Sequence, residues 1–337
     1  MNALFIGGTG LISSAVSSLA VQEGIELFLL TRGKRDGLAP EGATVLHGDI
    51  NDTAGMQELL KHRHFDVVVD WVVYKPEEIE RDIGLFTGRT GQYIFISTVV
   101  TYQRPLSHYL VNESCPQRNA GWDYAVAKIA CEERLRREYR ENAFPMTIVR
   151  PSHTYGPTTI PFAITSWDHP WTLADRILKG KKIIVPGDGT SLWTLTHNSD
   201  FAKGLIGLLG NSQAIGHEFH ITSDEVKTWE QYLGDIGRAL GEKPVSIHIA
   251  SDCIAAFLPE VRGGLLGDAS HSYVVDNSKI KRFVPGYVAT TRFEHGIRQS
   301  IDYFRSHPER QSIDSELNTK MDGLIAAYEK FLQAAGA

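Results

Sequence analysis

A short apolar run that ends in a glycine-rich turn and restarts as a helix constrains this chain more than any other feature. The sequence opens Met1-Asn2-Ala3-Leu4-Phe5-Ile6, turns through Gly7-Gly8-Thr9-Gly10, and continues Leu11-Ile12-Ser13-Ser14. A turn of this kind between a strand and a helix lets the backbone approach a pyrophosphate closely. The helix start then offers free N–H groups and a partial positive charge. Gly7, Thr9, Gly10, Leu11 and Ile12 are therefore candidate cofactor contacts. The spacing is Gly7-x-x-Gly10-x-x-Ser13, with serine where a third glycine is usual. Serine is the next smallest choice, and the reading takes it as a tolerated packing change. Alone, such a turn also occurs without a ligand, so its context has to decide.

That context is an alternation of strand-like and helix-like segments. Strands are predicted at 2–6, 26–31, 43–47, 66–71, 92–97 and 146–150, most of them near-continuous apolar runs of the kind buried on both faces. Helices are predicted at 14–23, 53–62, 77–87 and 122–141, with Asp52-Thr53 capping the second and Pro76 opening the third. The pattern reads as an α/β fold, a Rossmann doubly wound parallel sheet. After about Pro157 the rhythm breaks into mixed elements. Strands are expected at 183–185 and 217–221, helices at 200–209, 229–240 and 315–335, the last packing on the body or on a second subunit. His217-Glu218-Phe219-His220 reads as strand and lacks the helical spacing of a zinc site, so no metal is expected.

Composition narrows the classes. With 337 residues and 42% hydrophobic content the chain can bury a large core, and a net charge of −6 gives no basic field for nucleic acid or anionic lipid. Cys115, Cys131 and Cys253 are too few and scattered for a disulfide framework and fit a reducing cytoplasm. No apolar run of the roughly 18 residues needed to span a membrane occurs.

The end of the second strand speaks to cofactor type. NAD sites usually place an acid there for the ribose 2′-hydroxyl. Here the chain reads Leu30-Thr31-Arg32-Gly33-Lys34-Arg35, with cations and no acid. Arg32 thus favours a 2′-phosphate and NADP over NAD. Asp49 and Ile50, after the third strand, are placed to grip the adenine, or Asp49 caps a turn.

Two later segments carry the chemistry. Tyr124-x-x-x-Lys128 sets a phenol and an ammonium on one helix face. The ammonium is expected to lower the phenol's pKa into a useful range and to hold the nicotinamide ribose. Thr98 follows a sheet strand, where ligands bind in open α/β folds, and its hydroxyl can bond the reacting oxygen.

These stretches, with "GGTGLIS", "HGDIND", "FISTVVTY", "YAVAK", "VRPSHTYGP", "IIVPGDGTSLWTLTHNSDFAKGL" and "VVDNSKIKRFVPGY", run almost end to end. Together they resemble the extended short-chain dehydrogenase/reductases, the group of nucleotide-sugar epimerases and dehydratases. The resemblance implies a dinucleotide-binding domain over 1–157, with 191–222 and about 270–280 returning to it. It implies a smaller interleaved α/β substrate domain from 158–190 and 223–337. It implies Tyr124 as catalytic acid/base, Lys128 as its partner and Thr98 as the third member, with Pro151 beside the cofactor. It also implies a homodimer through the fourth and fifth helices.

The chain departs from the family pattern at several points. Val99-Val100 stand where dehydratases carry an Asp-Glu pair, so 4,6-dehydration is not expected. His153 replaces an asparagine that orients the nucleotide-sugar, and could hold substrate, carry a proton or fill space. Trp193 stands where many members carry an arginine that meets the substrate diphosphate, and is read as stacking on substrate or packing between domains. Arg262 is the candidate replacement charge. The loop Trp167-Asp168-His169-Pro170-Trp171 is a specificity candidate. The sum is an NAD(P)-dependent enzyme acting on a secondary hydroxyl of a sugar or nucleotide-sugar, an epimerase first. A reductase or dehydrogenase of a sugar or nucleoside-type substrate with exchangeable NADP(H) comes second. A non-catalytic RNA-binding relative comes third.

Overall fold

Seven parallel strands form the central sheet of the computed structural model, which describes residues 1–34 and 36–336. They are β1 (Asn2–Ile6), β2 (Glu26–Thr31), β3 (Thr44–His47), β4 (Val67–Asp70), β5 (Tyr93–Ile96), β6 (Met146–Pro151) and β7 (Glu218–Ile221). Their order is β7-β6-β5-β4-β1-β2-β3. β1 therefore lies between β2 and β4, which follow it on opposite sides. This is the switch point at which open α/β sheets leave a crevice outside their carboxyl ends. The first half follows the alternation read from the sequence, and the doubly wound sheet is present.

The helices cover both faces. α1 (Ser13–Gln22), α2 (Thr53–Leu59), α3 (Pro76–Phe86) and α4 (Asp123–Asn142) precede α5 (Trp171–Leu178), α6 (Asn198–Ile206) and α7 (Trp229–Leu240). α1 and α6 bury Val16, Ala20, Phe201 and Leu205 against one face, and α2, α3 and α4 bury Met56, Ile79, Phe86 and Leu135 against the other. The local signals work as their chemistry demands. Asp52 accepts from the Gly55 N–H at 3.0 Å to start α2. Pro76 occupies the first turn of α3, where Glu78 accepts from the Lys75 N–H at 2.9 Å.

A separate core forms from the later chain. The strand Lys182–Pro186 pairs in parallel with Val245–Ile249, flanked by α5, α7 and the helix Phe293–Ser306. Residues Phe201, Leu205, Phe219, Ile221 and Ile280 instead pack in the sheet's own core. Tyr102 and Val111 cross the other way, into the second core, and Leu110–Val111 pairs with Val274–Val275. The segment 102–111, assigned to the first domain by the sequence, thus helps build the second. The last helix, Ser315–Ala335, packs on the body through Leu317, Met321, Leu324 and Ile325. Asp322 on it pairs with the buried Arg176 at 2.8 Å. Among the described residues no helix is long and apolar enough to cross a membrane.

Candidate active site

The opening loop adopts backbone that glycine alone adopts freely. Gly7 has φ +99° and Gly8 φ +105°, and a Cβ on Gly8 would meet the Leu29 side chain at 2.7 Å. The Ser17 hydroxyl donates to the Gly8 carbonyl at 2.8 Å, and Asn198 donates to the Leu11 carbonyl at 2.9 Å. Ser13 does more than tolerate its place: its Oγ accepts from the Gly10 N–H at 2.8 Å and closes the turn. That bond is absent from a glycine at the same position.

The loop forms one wall of a cleft of about 1040 Å³ at the carboxyl ends of β1, β4 and β5. Drug-sized ligands occupy ~300–1,000 Å³, so this space suits a large ligand or two smaller ones. Gly7, Thr9, Gly10, Leu11, Ile12, Arg32, Asp49, Ile50, Tyr124, Lys128 and Pro151 all line it, as do Thr98 and His153. Asp49 both faces the cleft and accepts from the Asn51 N–H at 3.0 Å, holding its turn.

At the tip of β2, Arg32 and Lys34 line the cleft, while Arg35 lies outside the described residues. An acid returns to this tip as well. Asp36 accepts from the Thr31 hydroxyl at 2.9 Å. Sequence reading placed no acid at the strand end; a turn of five residues folds one back onto it.

The stretch after β4 was not anticipated. Trp71, Val72, Tyr74, Glu78 and Arg81 line the cleft, with Trp71 and Val72 beside the glycine loop, where a Cβ on Gly7 would meet each at 3.3 Å. Asp70, fully buried at the end of β4, accepts from the Val72 and Val73 N–H groups at 2.6 and 2.9 Å and shapes this wall. Burial raises its pKa well above the usual carboxylate range, and nearby Asp82 adds to this. Arg81 binds Asp82 at 2.8 Å and reaches Asn51 at 2.7 Å.

Thr98, Tyr124 and Lys128 meet in the middle. Thr98 extends β5, and its Oγ1 accepts from the Val100 N–H at 3.3 Å. Tyr124 and Lys128 occupy the first turns of α4. The Lys128 ammonium donates to the Val73 and Ile96 carbonyls at 2.7 and 2.8 Å. An ammonium has three donors, so one remains for the cleft. Burial lowers Lys128 to about 8. The expected lowering of the tyrosine is not what this geometry produces. Burial raises the Tyr124 phenol, the Thr98 side chain offsets part of the rise, and Lys128 stands 5.9 Å from the ring centre, tied to carbonyls.

The far end of the cleft is aromatic. His153 stacks on Trp167 at 5.0 Å and meets Trp193 edge-on at 5.1 Å. Burial drops the His153 pKa to about 4, so its imidazole is neutral at ordinary pH. Trp193 is not on the cleft wall. It is buried against Trp229 at 4.6 Å and supports His153 from behind. Arg262 is exposed and does not line the cleft. Of the aromatic loop, Trp167 faces the cleft and Trp171 is buried at the start of α5. Trp122 and Asp268 also line this end, and neither was singled out from the sequence.

A buried ion network fixes the frame. Glu132 on α4 holds Arg150 on β6 at 2.5 and 2.9 Å, Arg136 at 2.6 Å and the Ser97 hydroxyl at 2.5 Å. Arg150 also reaches the Tyr102 hydroxyl at 2.7 Å. This ties the α4 helix of Tyr124 to the strand end that carries Thr98.

The profile of the NAD dependent epimerase/dehydratase family matches residues 81–222. The chain is similar to that family over those residues. Among relatives, it is 27% identical over 262 residues to the chloroplast stem-loop binding protein of 41 kDa b of Arabidopsis thaliana, covering 73% of this chain and 65% of that one. An epimerase structure from Methanothermobacter thermautotrophicus superposes with TM-score 0.74 at 16% identity, over 91% of this chain and 93% of that chain. UDP-glucuronic acid 4-epimerase of Bacillus cereus, solved with UDP-glucuronic acid and NAD, superposes with TM-score 0.73 at 17% identity, over 91% and 99%. Both likenesses are of fold. Within this epimerase/dehydratase fold, the residues present fit a nicotinamide dinucleotide. The left-handed Gly7 and Gly8 bring bare backbone to the crevice, and Lys128 keeps a donor free beside Tyr124.

Proposed function

We propose that this chain is an NAD(P)-dependent epimerase that oxidises a secondary hydroxyl of a sugar and returns the hydride to the other face. The observation that carries the reading is the meeting of Thr98, Tyr124 and Lys128 in the same cleft as the glycine loop. A nicotinamide held by the glycine loop and Lys128 would supply the hydride acceptor, and its oxidised ring a positive charge that favours a phenolate. As phenolate, Tyr124 Oη would accept the hydroxyl proton; burial disfavours that form in the bare cleft, and a neighbouring positive charge would restore it. Thr98 holds the reacting oxygen. Lys128, anchored by two carbonyls, turns its remaining donor to the cofactor ribose. The keto sugar then rotates and Tyr124 returns the proton. Val99 is in the second core and Val100 is apolar, which supports epimerisation over dehydration.

Arg32 and Lys34 at the cleft support NADP, and Asp36 beside Thr31 opposes it. With Arg32 reading the phosphate, Arg32→Ala weakens NADP binding on the order of 10-fold or more and leaves NAD within about twofold. Fluorescence titration of both nucleotides checks this; an equal loss for both contradicts it. The absorbance spectrum of the purified protein separates the two enzymatic readings. Tightly held stoichiometric NAD(P) fits an epimerase, while empty protein that binds added NADPH fits a reductase. The name of the chloroplast relative favours a further reading, stem-loop RNA binding without chemistry. That reading predicts a gel shift with a stem-loop RNA and no property that depends on the Tyr124 hydroxyl. Sedimentation equilibrium tests the homodimer that the family resemblance implies.

A further inference from the structure

The substrate end of the cleft holds one acidic group that hydride transfer leaves unused. Asp268 lines the cleft and is otherwise buried, at 6% exposure. Its Oδ1 accepts from the Tyr273 hydroxyl at 2.6 Å and from Arg104 at 3.2 Å. The Trp193 indole lies close to the same carboxylate without reaching good hydrogen-bond geometry. Tyr273 and Arg104 both bond Oδ1, and the Asp268 carboxyl lines the cleft. The position is rigid. Asn119 donates to the carbonyls of Val100 at 2.7 Å and Gly267 at 2.8 Å, strapping the Asp268 segment onto the turn that follows Thr98. A Cβ on Gly267 would meet Trp122 at 3.0 Å, so the segment also packs tightly on the residue before α4.

The surrounding charges sharpen what can bind there. The cleft-lining cations are Arg32, Lys34, Arg81 and Lys128. The first two sit past the tip of β2, Arg81 is bound to Asp82 and Asn51, and Lys128 is bound to two carbonyls. None belongs to the end formed by Trp122, His153, Trp167 and Asp268. His153 is neutral there. Arg104 is turned away, over the Tyr273 ring at 4.6 Å, with Asp268 as its partner. Among the described residues, a diphosphate in this end would meet the Asp268 carboxyl, whose pKa burial raises and Arg104 partly restores, and no cation that is not already paired, which low local dielectric makes costly. A sugar ring would meet aromatic faces and a fixed acceptor.

We propose that Asp268 determines substrate specificity: it accepts a hydroxyl of a phosphate-free sugar and excludes sugars joined to a nucleoside diphosphate. This rests on the sugar-oxidising reading above. The test uses the protein loaded with NAD(P)⁺, with methyl glycosides as one set of probes and UDP-glucose and UDP as the other. Transient nicotinamide reduction is followed by stopped-flow absorbance, and steady-state turnover by chromatography of the isomerised glycoside, in wild type, Asp268→Asn and Tyr124→Phe. The expected result is reduction by a methyl glycoside and none by UDP-glucose, with no competition by UDP. In Asp268→Asn the KM for that glycoside rises on the order of 10-fold or more, with kcat changed less. The wild-type arm stands even if Asp268→Asn fails to fold. Tyr124-dependent turnover of UDP-glucose by wild type, or an unchanged KM in Asp268→Asn, overturns this proposal and leaves the oxidoreductase reading in place. Absence of Tyr124-dependent reduction with every probe overturns both.

Discussion

Tyr124→Phe lowers turnover by about 100-fold or more and leaves both the fold and the affinity for NAD(P) nearly unchanged. The substitution removes a single oxygen. The phenylalanine ring keeps the packing of the tyrosine between Trp122 at 5.2 Å and Tyr74 at 6.2 Å. Lys128 keeps its two carbonyl bonds, since neither involves the phenol. What disappears is the group proposed to move the substrate proton, and with it the contact to Thr98. Because the loss is felt at the transition state, kcat and kcat/KM fall together. A Tyr124→Phe protein with wild-type turnover contradicts the mechanism, and one in which only KM rises assigns Tyr124 to binding.

Glu132→Ala destabilises the protein by about 3–5 kcal/mol, because it leaves Arg150 buried without a counter-charge. Arg150 and Glu132 are both fully buried, and Arg136 and Ser97 lose the same partner. Chemical denaturation read by far-ultraviolet circular dichroism measures the loss. A cost below about 1 kcal/mol would mean that water or rearrangement supplies the missing charge. The pair also makes a pH prediction. Burial alone would raise Glu132, but Arg150 and Arg136 outweigh it and hold the carboxyl at about 2, below its ordinary 4.5. A carboxyl depressed in the folded state stabilises fully above its unfolded pKa. That contribution is lost as pH falls from about 4.5 towards 2. Wild type therefore loses stability more steeply than Glu132→Gln across this window.

Much of the site is legible in the sequence because its parts are local. The glycine loop lies between one strand and one helix, and Tyr124 and Lys128 are one helical turn apart. Their shared helix face follows from spacing alone. Contacts formed across the chain are not legible in this way. Asp268 meets Arg104 and the Thr98 turn through long-range packing, and only the folded chain shows it facing the cleft. Glu132 and Arg150 sit on a helix and a neighbouring strand, where neither side chain announces a partner. Trp193 shows a related limit. Its place in the sequence left substrate stacking and domain packing both open, because position along a strand does not tell which side of a wall the side chain takes. Asp36 was missed because a short turn moves it back to β2 in space. α5 escaped the periodicity reading because eight residues span barely two turns.

The central claim is that this cleft transfers hydride from a sugar hydroxyl to a nicotinamide under the control of Tyr124. A single-turnover experiment tests it most directly. Protein saturated with NAD(P)⁺ is mixed with methyl glycosides, and nicotinamide reduction is followed in wild type and Tyr124→Phe. The account predicts a reduced-nicotinamide signal in wild type that falls about 100-fold or more in rate in the variant. A nicotinamide that does not bind, or a signal of equal rate in both proteins, would contradict it.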